Sequence, residues 1–114
     1  MKIKNITKNK KLIGNAELCD DILSKFVGLM LSKNKYRCLI FKFNGEKIIS
    51  LHMFFVFYTI DVLFLNKNKI VVDKKENFKS FTFYKSRKKA MYAVELPSGI
   101  IKKTKTEIGD KIKF

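Results

Sequence analysis

The chain reads as an α+β domain that is mostly β: an antiparallel-dominated sheet, curled or rolled into a barrel, and covered by one main helix. Three observations predict this. Short apolar runs recur along the chain, separated by Asn-, Gly- and Lys-rich breaks. Only one longer segment, residues 22–30, places its apolar side chains at helical spacing. Hydrophobic residues make up 46% of the chain and eleven of them are Phe, enough for a packed interior.

Residues 2–7 alternate Lys2, Ile3, Lys4 and then Ile6, the pattern of a half-buried strand. Asn9-Lys10 makes a turn, and residues 11–19 a second strand with a bend or bulge at Gly14. Asp20 or Asp21 can cap a helix whose apolar face is Ile22, Leu23, Phe26, Leu29 and Met30. Residues 38–43 form an apolar strand, and Asn44-Gly45 signals a hairpin that returns along residues 47–53. Residues 54–58 extend that strand or bend it. Residues 60–65 are a buried strand closed by Asn66-Lys67-Asn68, with residues 69–73 pairing back. Residues 78–84 alternate as a further strand, 86–89 make a basic turn, and 90–96 form the last core strand. Ser98 can cap a short helical turn over 100–104, and Ile108-Gly109-Asp110 turns into 111–114.

At 114 residues this is one domain, residues 1–114, large enough to bury a core without staples. One Pro and five Gly leave no low-complexity linker. Residues 51–65 are too short and too interrupted by His52, Thr59 and Asp61 to span a bilayer, and residues 1–14 lack a signal-peptide pattern. A soluble, cytoplasmic protein is expected. Cys19 and Cys38 form no C-x-x-C and meet a single His, too few soft ligands for zinc. They are either two reduced thiols or one disulfide. Neither a metal nor a cofactor is expected.

Lys and Arg number 25 against 10 Asp and Glu, a net charge of +15. Attraction to polyanions follows from that charge. Only Arg37 and Arg87 carry the guanidinium that clamps phosphates bidentately. The densest basic run is Lys85, Ser86, Arg87, Lys88 and Lys89, with Tyr84 and Tyr92 beside it. Aromatics among cations can stack bases while ammonium groups hold phosphates. A solvated turn explains the same run without a ligand.

Asp61 has the most specific structural demand in the chain. A carboxylate set among Ile60, Val62, Leu63 and Phe64 must find hydrogen-bond partners or stay neutral. It can orient His52 as an acid–base pair, or cap main-chain N–H groups while His52 packs as an aromatic plane. Its loss to Ala should cost about 1–3 kcal/mol by stranding donors. Glu95 can join Asp61 in a dyad or accept hydrogen bonds from a loop. Met30, Met53 and Met91 line a pocket or fill the core.

Three blocks together resemble one family. They are Gly28-Leu29-Met30 with Leu39-Ile40-Phe41, then His52-Met53 with residues 60–65 and Ile70-Val71, then residues 95–99 with Gly109-Asp110. Over residues 12–114 the chain resembles DUF192, a group of small prokaryotic domains without an established biochemical function. Many bacterial members carry Trp where this chain has His52, and Pro where it has Thr59-Ile60. Many also look exported. The resemblance implies a compact β-rich domain and supplies no mechanism.

The leading functional expectation is a non-catalytic binding module whose ligand, a small molecule or protein segment, contacts His52, Met53, Asp61 and Glu95. The alternative is a nucleic-acid module using Tyr84, Lys85, Arg87, Lys88 and Lys89. An enzyme with an Asp/Glu/His site comes third.

Overall fold

The computed structural model describes residues 1–19, 38–53 and 58–114, with Cys19 and His52 as backbone only. The expected helix over 22–30, Met30 and Arg37 lie outside the described residues, as does most of the segment 54–58. In chain order the elements are β1 (Ile3–Asn5), β2 (Lys10–Ile13), β3 (Ala16–Cys19), β4 (Cys38–Lys47), β5 (Ser50–His52) and β6 (Ile60–Leu65). They continue as β7 (Val71–Phe78), β8 (Phe83–Lys85), β9 (Ala90–Pro97), a helix α1 (Ile100–Thr104) and β10 (Ile112–Lys113).

A five-stranded sheet of order β3-β4-β9-β6-β7 forms the frame. Every described pairing is antiparallel except β3 with β4. A parallel pair needs a crossover connection, and the residues between these two strands, 20–37, are not described. The frame is covered on both sides. On one side the small sheet β10-β1-β2 and α1 bring Ile3, Leu12, Ile101 and Ile112 onto Ile40, Leu63, Leu65, Val94 and Leu96. On the other, β5 and β8 pair as a ribbon, and Ile49 and Met53 pack with Leu39, Phe41, Val62, Phe64 and Phe78. Covering from both sides explains why all six residues of β6 are buried, and why its sequence runs apolar rather than alternating. Among the described residues the sheets do not close into a barrel: β3 and β7 are open edges of the frame.

Three strand expectations differ from the structure. Asn44-Gly45 does not turn a hairpin. β4 continues through it to Lys47, which pairs with Ala90, and the register slips between Lys42 and Lys47. β4 already has β3 on one edge and β9 on the other, so no edge is free for a returning strand. The extra residues are absorbed as an irregular bulge instead. The strand proposed for 78–84 is broken as well. Phe78 ends β7, Phe81 adopts φ 61°, and β8 starts at Phe83 to pair with β5. The strand over 11–19 divides at Gly14 and Asn15 into β2 and β3, which join different sheets.

The two ends of the chain are fastened together. β1 pairs with β10, and buried Asn5 donates through Nδ2 to Asp110 Oδ2 at 2.8 Å and to Thr106 Oγ1 at 3.1 Å. Lys8 Nζ donates to the same Asp110 carboxylate at 3.2 Å. Burial would raise the Asp110 pKa, but the Asn5, Glu107 and Lys8 donors together hold it below the usual carboxylate value.

Candidate functional site

Directly opposed residues in an antiparallel pair share a face, and neighbours along a strand alternate. Asp61 lies opposite Leu96 and Glu95 lies opposite Val62, so the two acids sit on opposite faces of the frame. The acid–base dyad is therefore excluded by register: the strand pleat alone separates the carboxyls.

Asp61 faces the side of α1. Its Oδ2 accepts the N–H groups of Gly99 and Ile101, both at 3.0 Å, and its Oδ1 accepts the Asn77 N–H at 3.1 Å. The helix begins at Gly99 in a left-handed conformation, φ 94°, and has no side-chain cap of its own. Glycine has the right backbone for this turn but no capping oxygen. The carboxylate on β6 supplies the acceptor from across the fold. Ser98, expected as the cap, instead bonds Asn77 Oδ1 through its hydroxyl at 3.1 Å. Asp61 is fully buried with three main-chain donors, which leaves it built into the fold rather than presented to a ligand.

Glu95 is different. On the central strand β9 it is flanked by Leu39 of β4 and Val62 of β6, and it is only 6% exposed. Its Oε2 is buried and has no hydrogen-bond partner among the described residues. Burial pushes its pKa up to about 8, so the carboxyl is mostly protonated at neutral pH. Met53 shares this second core, and Tyr58 packs against it with a buried hydroxyl that likewise lacks a partner among the described residues. Tyr58 was not singled out by the sequence, which offers no signal beyond its place before a buried strand. The backbone of His52 pairs with Phe83.

The basic run at 84–89 is anchored by an acid that sequence reading missed. Asp73, on β7, is fully buried. It receives Tyr84 Oη at 2.7 Å, Arg87 Nη2 at 2.7 Å, Arg87 Nε at 3.0 Å and the Arg87 N–H at 2.9 Å. Desolvation would raise the Asp73 pKa, but Arg87 and these hydrogen bonds outweigh it and hold the carboxyl below its ordinary value. Ser86 is buried, accepting the Ile49 N–H at 2.9 Å and donating to the Lys88 carbonyl. The turn is thus a built corner, and Tyr84 points into the protein against Phe64 and Phe78. Replacing Arg87 with Ala should lower the urea midpoint at pH 7. A depressed Asp stabilises above its unfolded pKa and loses that contribution as pH falls through its folded value. The gap between variant and wild type should therefore narrow below about pH 4. Parallel curves across that range would show that Arg87 does not hold Asp73.

The disulfide alternative fails on geometry. In the parallel pair, Ala16 lies opposite Cys38 and Cys19 opposite Phe41, three residues further on. That offset is roughly 10 Å along the strand, beyond the Cα spacing a disulfide tolerates. Cys38 is a buried free thiol whose pKa is pushed up to about 12 by burial and then by the nearby Glu95. Among the described residues no three His, Cys, Asp or Glu side chains group as metal ligands. No described helix is long and apolar enough to cross a membrane.

An open mixed sheet, covered by a strand ribbon on one face and by a short helix capped from the sheet on the other, defines a small β-rich domain class. The chain belongs to the DUF192 family ("Uncharacterized ACR"), whose model matches residues 3–114. It is 40% identical over 114 residues to a UPF0127 protein of Thermococcus kodakarensis, covering 98% of this chain and 72% of that one. A UPF0127 protein of Pyrococcus furiosus is 39% identical over 112 residues, covering 96% and 95%. A solved structure from Novosphingobium aromaticivorans, of unknown function, superposes with TM-score 0.85 at 17% identity, covering 99% of this chain and 82% of that one. Another, from Sinorhizobium meliloti and named as a candidate transcription regulator, gives 0.83 at 19% identity, covering 98% and 89%. At those identities the likeness is one of fold.

Proposed function

We propose that the protein is a non-catalytic binding domain that seats an apolar ligand bearing a hydrogen-bonding group against Glu95 and Tyr58. The observation that carries this reading is the buried Oε2 of Glu95, which has no hydrogen-bond partner among the described residues. A buried polar atom without a partner costs about 1–3 kcal/mol, and such an atom invites an external partner. With its pKa near 8, Glu95 is a neutral acid at pH 7, offering one O–H donor and acceptor lone pairs. That pattern complements a primary amide or a second carboxylic acid. Met53 and the apolar residues around it would hold the rest of the ligand. A cytoplasmic setting suits Cys38, which is buried and unbridged.

Benzamide and acetophenone, which share a ring and a carbonyl, separate the two contributions. By NMR, benzamide should shift the amide signals of Leu39, Val62 and Ala93 in the wild type. Acetophenone, which cannot donate, should shift them much less, and Glu95→Leu should abolish the difference. Identical responses of wild type and Glu95→Leu to benzamide would defeat the proposal.

A further inference from the structure

The ribbon formed by β5 and β8 has two unlike sides. Leu51 and Tyr84 turn inward onto the second core. Phe83 and Lys85 alternate with Tyr84 and turn outward, and Phe83 is 71% exposed. The ribbon runs straight into the corner at 86–89, where Lys88 and Lys89 are exposed and Arg87 is 67% exposed despite its bonds to Asp73. Lys47, from β4, arrives opposite Ala90 at the far side of that corner, with its ammonium 5.0 Å from the centroid of the Phe43 ring. The topology therefore places Lys47, Lys85, Arg87, Lys88 and Lys89 at one end of the ribbon, with the outward-facing ring of Phe83 two residues along the strand from Lys85. Glu46, the acid nearest in sequence, is turned to the Lys67 N–H. Among the described residues no ion pair engages Lys85, Lys88 or Lys89.

Most of that geometry serves no packing purpose. A large ring left in water beside several unpaired cations matches a ligand with flat faces and regularly spaced negative charge. Nucleic acid has both, but in a duplex the base faces are already stacked on each other. An exposed side chain reaches them only in a single strand. We propose that the outer side of the β5–β8 ribbon binds single-stranded nucleic acid, with Phe83 stacking on a base and the gathered lysines holding flanking phosphates. Phe83, not Tyr84, is the platform, because the pleat sends Tyr84 inward to Asp73. This proposal is independent of the Glu95 site, which lies in the interior.

Fluorescence anisotropy with a labelled oligothymidylate of about 12 nucleotides tests it, at about 100 and about 300 mM salt. Phe83→Ala should weaken binding roughly 5- to 100-fold with the salt slope unchanged, while Phe83→Tyr should bind like the wild type. Replacing Lys85, Lys88 and Lys89 together by Gln should reduce the slope of log K against log salt by about 2. The same triple replacement at exposed Lys2, Lys102 and Lys103, on the opposite side, should change it far less. Binding of Phe83→Ala within about twofold of wild type would overturn the proposal, since stacking is worth more than that. So would equal losses from the two lysine triples, or a duplex of the same length bound as tightly as the single strand; each would leave only diffuse charge attraction. Phe83 is exposed, so its removal leaves the core intact, and an unchanged unfolding midpoint checks that.

Discussion

Asp61→Ala should lower the unfolding free energy by about 3–5 kcal/mol, the largest single-residue loss expected here. The carboxylate accepts three main-chain N–H bonds, from Asn77, Gly99 and Ile101, and water has little access to replace it. Removing it strands three donors at once, where the sequence alone justified only a generic penalty. Asp61→Asn should cost roughly half as much, because the amide keeps one accepting oxygen and turns an N–H₂ against a donor. Urea midpoints measure the free energies, and amide exchange at Gly99 and Ile101 localises the damage. Both amides should lose protection before β9 does. A change within about 1 kcal/mol would mean that the start of α1 is held by something other than this acid.

Glu95→Leu should have the opposite sign. At pH 7 the variant should be more stable than wild type by about 3 kcal/mol, since it removes a buried carboxyl whose ionisation the fold opposes. The pH dependence follows from the direction of the shift. The folded pKa, about 8, lies above that of the unfolded chain, so between roughly pH 4.5 and 8 the folded state holds a proton that the unfolded state has released. Wild-type stability therefore falls as pH rises through that window, by about 1.4 kcal/mol per unit from this group. Below it the contribution is flat. The difference between Glu95→Leu and wild type should accordingly widen from pH 4.5 to 8 and then level off. Thermal or urea unfolding across that range reads this directly. A difference independent of pH would show that Glu95 titrates normally. Because the native residue is the less stable choice, an outcome as predicted also gives the carboxyl a reason to exist outside folding.

Much of this was legible from the residues, and the misses have physical causes. The strand at 60–65, the turn after it, the core strand beginning at Ala90 and the helical turn at 100–104 each carry a strong local pattern, and each is present. The demand that Asp61 be satisfied was legible because a charge in an apolar run has few options. Its partners were not, because Gly99 and Ile101 lie 38 and 40 residues away. The hairpin at Asn44-Gly45 was a local signal overruled by tertiary pairing, since both edges of β4 were already taken. Asp73 was overlooked because in sequence it is one acid beside two lysines; only the fold brings Tyr84 and Arg87 to it. The pleat of β8 decides whether Tyr84 or Phe83 meets solvent, but that choice needs the pairing of β8 with β5.

The fastening of β1 to β10 has a consequence for how the protein is made. β1 precedes β10 in synthesis, yet it gains its second neighbour only when Ile112 has been delivered. Until then Asn5 faces the place where Asp110 and Thr106 will be, and the first hydrophobic layer lacks a wall. Completion of this domain is thereby deferred until β10 has been made, and refolding in vitro should be slow for a domain of this size, since its closing step joins segments far apart in sequence.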